Sequence, residues 1–141
     1  MIRVEPGARD IMYDDAKNAF PDECCGFMYG QEDENGDRII SEALPIDNSA
    51  IENRKRRFVI SPKDYLKGEQ YADQKNLQLL GIYHSHPNHP AIPSEHDRVA
   101  AQPWFSYVII SVMEDGVKNV RSWVLNEQEQ FDEESVSEIE K

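Results

Sequence analysis

The apolar run Leu77-Gln78-Leu79-Leu80-Gly81-Ile82-Tyr83 leads directly into His84-Ser85-His86-Pro87, and no other stretch constrains the fold as tightly. Read as a β-strand, the run sends successive side chains to opposite faces. His84 and His86 then project from the same face at one end of a sheet. Two imidazoles fixed in this way make half of a metal site. Asp97 follows His86 by eleven residues, near enough to return an oxygen ligand across a short loop. Two His and one carboxylate leave the fourth tetrahedral position to water, the pattern of a catalytic rather than a structural zinc.

The 141 residues (16.3 kDa) predict one domain spanning 1–141, large enough to bury a core. The formal net charge of −12 argues against nucleic acid as a partner, because a phosphate backbone needs clustered Lys and Arg. No apolar stretch approaches the roughly 20 residues that span a bilayer, so no membrane association is expected. The opening Met1-Ile2-Arg3-Val4-Glu5-Pro6 lacks the apolar core of a signal peptide, which makes the cytoplasm the expected location. The adjacent pair Cys24-Cys25 offers no disulfide framework, and in a strand its thiols face opposite sides. Two small apolar residues entering a buried strand is the simplest reading.

Along the chain, Ile11, Met12, Ala16, Ala19 and Phe20 fall near helical spacing, predicting a helix over 8–20 that Pro21 stops. A strand is expected over 24–30, then an Asn35-Gly36 turn and a return strand over 38–46. Phe58-Val59-Ile60 reads as a third strand. Ser61 followed by Pro62 marks a helix start, running to about Lys75. The prolines at 87, 90 and 93 forbid regular structure there, and Ser94 opens a short helix before Pro103. Strands are expected over 106–113 and 117–125. The acidic segment 127–141 contains Phe131 to Ile139, which fits either an edge strand or a tail. The fold class is thus α/β, with a mixed, largely antiparallel sheet flanked by helices.

Glu23 enters an otherwise apolar strand from Pro21-Asp22-Glu23-Cys24-Cys25-Gly26 and is the candidate base, provided its strand neighbours that of His84. Together, Glu23 and the intervals His84-x-His86-x7-Ser94-x2-Asp97 resemble the signature of the JAMM (MPN-plus) metalloproteases. The segment from Pro21 to Gly26 is similar to the opening motif of their small prokaryotic members. The stretches Phe58–Pro62 and Tyr107–Val112 fall where the family places two core strands, so the likeness covers roughly residues 4 to 126.

The resemblance implies a JAMM/cytidine-deaminase-like fold and one Zn²⁺ per chain, held by His84, His86 and Asp97. It implies that Glu23 takes a proton from a water activated by the metal and returns it to a leaving amine. Ser94 would donate to the oxyanion, a contact worth roughly 2.7–4 kcal/mol elsewhere. The implied reaction is amide hydrolysis after the C-terminal Gly-Gly of a ubiquitin-like or sulfur-carrier protein, whose extended tail suits addition to a strand edge. Alternatives are a zinc peptidase acting on small peptides and a non-catalytic MPN-type scaffold. A zinc deaminase is disfavoured because no Cys-x-x-Cys is present.

Ser94 and Asp97 also fit a helix capping box, and both readings hold if the carboxylate turns to the metal while the backbone caps the helix. His89 and His96 are read as solvent-facing or outer residues rather than ligands. The cationic run Arg54-Lys55-Arg56-Arg57 is either a solvated loop or a guide for an acidic partner. Oligomeric state is not legible in the sequence.

Overall fold

The computed structural model describes residues 1–138. In chain order the elements are β1 (Ile2–Val4), α1 (Pro6–Ala19), β2 (Cys25–Glu32), β3 (Arg38–Ile46), α2 (Pro62–Lys75), β4 (Gln78–Pro87), α3 (Glu95–Ala100), β5 (Ser106–Met113), β6 (Gly116–Leu125), β7 (Phe131–Glu134) and β8 (Val136–Glu138). They form one mixed sheet in the order β7-β6-β5-β4-β2-β3-β1-β8. The pairs β4–β5, β3–β1 and β1–β8 are parallel and the others antiparallel.

Strand β4 runs through the middle of the sheet because both of its faces are apolar. One core gathers Ala8, Met12 and Ala16 of α1 against Met28, Leu80, Tyr83, Val108 and Ile110. The other gathers Ala72 of α2 with Cys25, Phe27, Tyr29, Ile82 and Tyr107. Cys24 and Cys25 go to opposite cores, as strand alternation requires. Helix α2 lies close to the sheet at Gly68, where a Cβ would stand 2.4 Å from the Phe27 ring. The Tyr29 hydroxyl donates to the Gly68 carbonyl at 2.9 Å.

The expected helix over 8–20, the 35–36 turn, the Ser61 cap and the strands over 106–113 and 117–125 are present within a residue or two. Asp33 Oδ1 closes the turn by accepting from the amides of Asn35 and Asp37. The expected strand Phe58–Ile60 is absent. The Val59 carbonyl accepts from Ser49 N and the Val59 amide donates to Asn48 Oδ1, so neither enters a ladder. This segment is apolar because its side chains wall a cavity, not because it pairs.

Strand β1 leaves no mark in the sequence, because its three residues make too short a signal. The segment after 127 becomes two strands at opposite edges, β7 on β6 and β8 on β1. Ser135 alone separates them, and its carbonyl accepts from Ile2 N at 2.9 Å. Consecutive Cα atoms stand about 3.8 Å apart, so the sheet must curl until its edges meet. Ile139, included in the expected last strand, lies outside the described residues.

Candidate metal centre

A bulge sets the face on which the histidines appear. Along the β2–β4 ladder Met28 faces Gly81 and Tyr29 faces Leu79, so Leu80 is the extra residue. Leu79 and Ile82 therefore both pack on the α2 side despite their odd spacing. From Ile82 onward alternation is regular and carries His84 and His86 to that same side. Cys25 stands opposite His84, which brings Glu23 to the end of the sheet where His86 emerges. Ser85, pointing the other way, fastens the two strands. Its Oγ accepts from Cys24 N at 2.8 Å, and its amide donates to the Cys24 carbonyl at 3.2 Å.

Helix α3 delivers the oxygen donor. Its cap is a full capping box: Ser94 Oγ accepts from Asp97 N at 3.1 Å, and Asp97 Oδ2 accepts from Ser94 N at 2.9 Å. The same Oδ2 lies 3.3 Å from His84 Nε2 and 3.1 Å from His86 Nε2, and the two imidazole nitrogens are 3.2 Å apart. A tetrahedral zinc with bonds of about 2.0–2.1 Å separates its ligands by about 3.3 Å. Three donors at this spacing fit one face of such a tetrahedron. Glu23 also offers a carboxylate oxygen within 4.8 Å of a ring nitrogen on each of His84 and His86.

The outer contacts hold the rings. His86 Nδ1 lies 2.9 Å from the Pro90 carbonyl, which as a pure acceptor requires the proton on Nδ1 and leaves Nε2 a lone pair for a ligand bond. The His84 ring stacks on Phe58 with centroids 4.5 Å apart. Two buried polar atoms lack a hydrogen-bond partner among the described residues, Glu23 Oε1 and His84 Nδ1.

Burial is the largest single influence on all four groups, and it decides the direction for Glu23 and His84. It pushes the Glu23 carboxyl up to about 8, opposed by nearby His86 and reinforced by Asp97. It pulls His84 below the ordinary imidazole range, against the attraction of Asp97. Burial also works downward on His86, but its bonds to Asp97 and the Pro90 carbonyl leave it raised. Asp97 is held well below the carboxylate range, because the two imidazoles and the Ser94 amide outweigh its own desolvation.

Two depressions flank the centre. A largely apolar cavity of about 180 Å³ lies on the His84 side, walled by Phe58, Val59, Tyr65, Tyr107 and Phe131. A more open cleft of about 330 Å³ lies on the Glu23 side and includes Arg56, His86, His89 and Ser94. His96 borders both, closer to the centre than its helical position beside Asp97 suggested. All five residues singled out from sequence thus gather at one place. Phe58 and Ser85 were missed, and only their proximity in the fold reveals them.

The family described as prokaryotic homologs of the JAB domain matches residues 5–126. A protein named desampylase from Pyrococcus furiosus is 34% identical over 112 residues, 79% of this chain and 72% of its own. The desampylase of Haloferax volcanii is 30% identical over 130 residues, 89% of this chain and 90% of its own. A probable TtuB-protein conjugate cleaving protease from Thermus thermophilus is 33% identical over 92 residues, 65% of this chain and 58% of that protein. A solution structure from Desulfitobacterium hafniense superposes with TM-score 0.86 at 29% identity, covering 100% of this chain and 94% of the other. A JAB1/MPN domain protein from Archaeoglobus fulgidus, at 18% identity, shares the fold with TM-score 0.60 over 98% of this chain and 99% of its own.

Proposed function

The chain belongs to the prokaryotic homologs of the JAB domain, and from that premise we propose that it is a zinc isopeptidase. Its substrate is the amide that joins the C-terminal carboxyl of a ubiquitin-like or sulfur-carrier protein to an amine. The names of its relatives, desampylase and conjugate cleaving protease, support this substrate class. His84, His86 and Asp97 hold one zinc ion, which when bound supplies a Lewis acid and makes water more acidic.

The observation that carries the proposal is the position of Glu23. Among the described residues its Oε1 is buried without a hydrogen-bond partner, one of its carboxylate oxygens lies within 4.8 Å of a ring nitrogen on each of His84 and His86, and it lines the cleft that Ser94 shares. A carboxylate desolvated in this way accepts a proton near neutral pH, and Glu23 takes one from the attacking water and delivers it to the departing nitrogen. Ser94 Oγ already accepts from Asp97 N, which leaves its hydroxyl hydrogen free to donate to the carbonyl oxygen as negative charge develops there. Asp97 stays ionised throughout. The apolar cavity beside His84 and the cleft beside Glu23 give the two sides of the bond separate places.

The same proposal includes a single catalytic domain acting in the cytoplasm, a reducing compartment compatible with free, buried Cys24 and Cys25. Metal analysis combined with a cleavage assay tests it. The substrates are ubiquitin-like carriers whose C-terminal Gly-Gly is joined to lysine. Wild type should bind zinc one to one and cleave. Glu23→Gln should keep the zinc and lose about 10²–10⁴-fold in rate. Equal cleavage by the two proteins removes Glu23 from the mechanism, and stoichiometric zinc without cleavage of any carrier removes the substrate class.

A further inference from the structure

The loop 47–61 joins β3 to α2 and furnishes walls for both depressions: Arg56 for the cleft, Phe58, Val59 and Ile60 for the cavity. A loop this long, with no strand or helix of its own, must be fixed by specific hydrogen bonds if its side chains are to keep their places. One side chain supplies four of them. Asn48 Nδ2 donates to the Glu23 carbonyl at 3.1 Å and to the Arg57 carbonyl at 2.9 Å. Asn48 Oδ1 accepts from Ala50 N at 3.0 Å and Val59 N at 3.1 Å. Two amide donors and two acceptor lone pairs are the whole capacity of an Asn side chain, and all four are engaged.

These bonds connect three places that matter to the site. The first is the backbone of Glu23, whose own amide also donates to the Arg54 carbonyl at 2.6 Å. The second is the peptide that leads from Arg57 into Phe58, the ring stacked on His84. The third is Val59, on the wall of the apolar cavity. Residues at the end of a strand are free to swing unless something beyond the ladder holds them, and Glu23 lies two residues before Cys25, where β2 begins. Asp cannot replace Asn here, because a carboxylate offers no donor to the two carbonyls. No other residue type presents two donors and two acceptors on so short a side chain.

We propose that Asn48 is a positioning residue for the reaction: it fixes the backbone of Glu23, and through it the reach of the Glu23 carboxylate to the cleft. This rests on the reading of Glu23 as the proton carrier. It assigns Asn48 no contact with substrate or metal. A displacement of about 1 Å in a reacting group can cost about 10²-fold, which sets the scale of the effect.

The test is a double-mutant cycle between Asn48 and Glu23, using the same Gly-Gly-lysine conjugate of a ubiquitin-like carrier. Asn48→Asp keeps the acceptor for Ala50 N and Val59 N but sets a charged carboxylate oxygen against the two carbonyls in place of the donors, while Asn48→Ala removes donors and acceptor without adding charge. Zinc content and thermal unfolding are measured on every variant. For Asn48→Asp the expected result is full zinc occupancy, kcat lowered about 10²-fold and KM within threefold of wild type. Combined with Glu23→Gln, it should cost no more than Glu23→Gln alone, because a residue acting through Glu23 has nothing left to position.

Wild-type kcat in Asn48→Asp overturns the proposal. So does a double variant that loses the product of both single effects, which would mean that Asn48 acts independently of Glu23. Should Asn48→Ala fail to fold, Asn48→Asp alone decides. If Glu23→Gln itself cleaves at the wild-type rate, the reading beneath the proposal has failed, and the cycle reports this separately from any fault in Asn48.

Discussion

Phe58 lies over the imidazole of His84 with an interplanar angle of 28° and a centroid distance of 4.5 Å. His84 is fully buried, and its Nδ1 has no hydrogen-bond partner among the described residues. Beyond the contact of its Nε2 with Asp97, the ring of His84 is therefore oriented by the backbone of β4 and by this stack, where a metal-bound histidine is commonly oriented by an acceptor on its second nitrogen. The stack takes the place of that hydrogen bond.

Phe58→Ala should consequently loosen His84 and weaken zinc binding. Outer contacts to metal-ligating histidines are typically worth 10–100-fold in affinity, and a loss in this range is expected. Phe58→Leu, which keeps apolar bulk without a flat ring, should fall between. Competition with a chromophoric chelator measures it. Unchanged affinity in Phe58→Ala would show that β4 alone orients the ring.

At Gly81 the backbone of β5 leaves no room for a side chain. A Cβ there would stand 2.1 Å from the Ser106 carbonyl oxygen and 2.8 Å from Met28 Cε, and backbone in a parallel ladder cannot yield as a side chain tip can. Gly81→Ala should destabilise the protein by about 1–3 kcal/mol or more, with a fall in zinc affinity, since the same strand carries both histidines. Gly7, in the first turn of α1, has open space around its built Cβ, so Gly7→Ala should be neutral or stabilising by up to about 1 kcal/mol. Denaturant titration of the two variants gives the comparison.

These features differ in how far the sequence discloses them. The path of β4 was legible because a long apolar run ends in two histidines, and the capping box of α3 because Ser94 and Asp97 hold a fixed local spacing. Glu23 was legible only as a polar residue in an apolar context, since its distance to His84 depends on strand pairing. Phe58 misled: an apolar triplet walling a cavity has the same composition as a short strand. Asn48 and Ser85 gave no signal, for their partners are backbone groups, identical in every residue, and all but Ala50 N lie well beyond local spacing. The closing of the sheet at Ser135 was hidden for a related reason, because β1 and β8 have three residues each and no pattern to read.

Asp15 of α1 accepts from the Tyr83 hydroxyl at 2.7 Å on the face of β4 opposite the histidines. Burial raises its pKa above the ordinary value, against the lowering effect of Tyr83 and Cys24. A raised folded-state pKa means that the folded protein holds this proton more tightly than the unfolded chain. The contribution to stability is then present below the unfolded pKa of about 3.9 and is lost as pH rises through the folded value. Asp15→Asn keeps an acceptor for Tyr83 and removes the charge, so it should raise Tm at neutral pH. The advantage over wild type should shrink as pH falls into the range where Asp15 is itself neutral. A variant less stable than wild type at neutral pH would mean that the charged hydrogen bond outweighs the desolvation.

Zinc itself should stabilise the fold, because its donors are assembled only when β4 and α3 are in place. Asp97 Oδ2 meets both imidazole nitrogens within 3.3 Å, and the unfolded chain has no such pre-arranged set. A ligand that binds the folded state alone stabilises by about 2.7 kcal/mol at a free concentration 100 times its Kd. Tm should accordingly rise with zinc and fall back on chelation. Magnesium should have far less effect, since two of the three donors are imidazole nitrogens and that ion prefers oxygen in an octahedron. Asp97→Asn removes the anionic donor with almost no change in shape, so its zinc-dependent rise in Tm should be much reduced. An equal rise in wild type and Asp97→Asn would place the bound zinc elsewhere on this acidic chain.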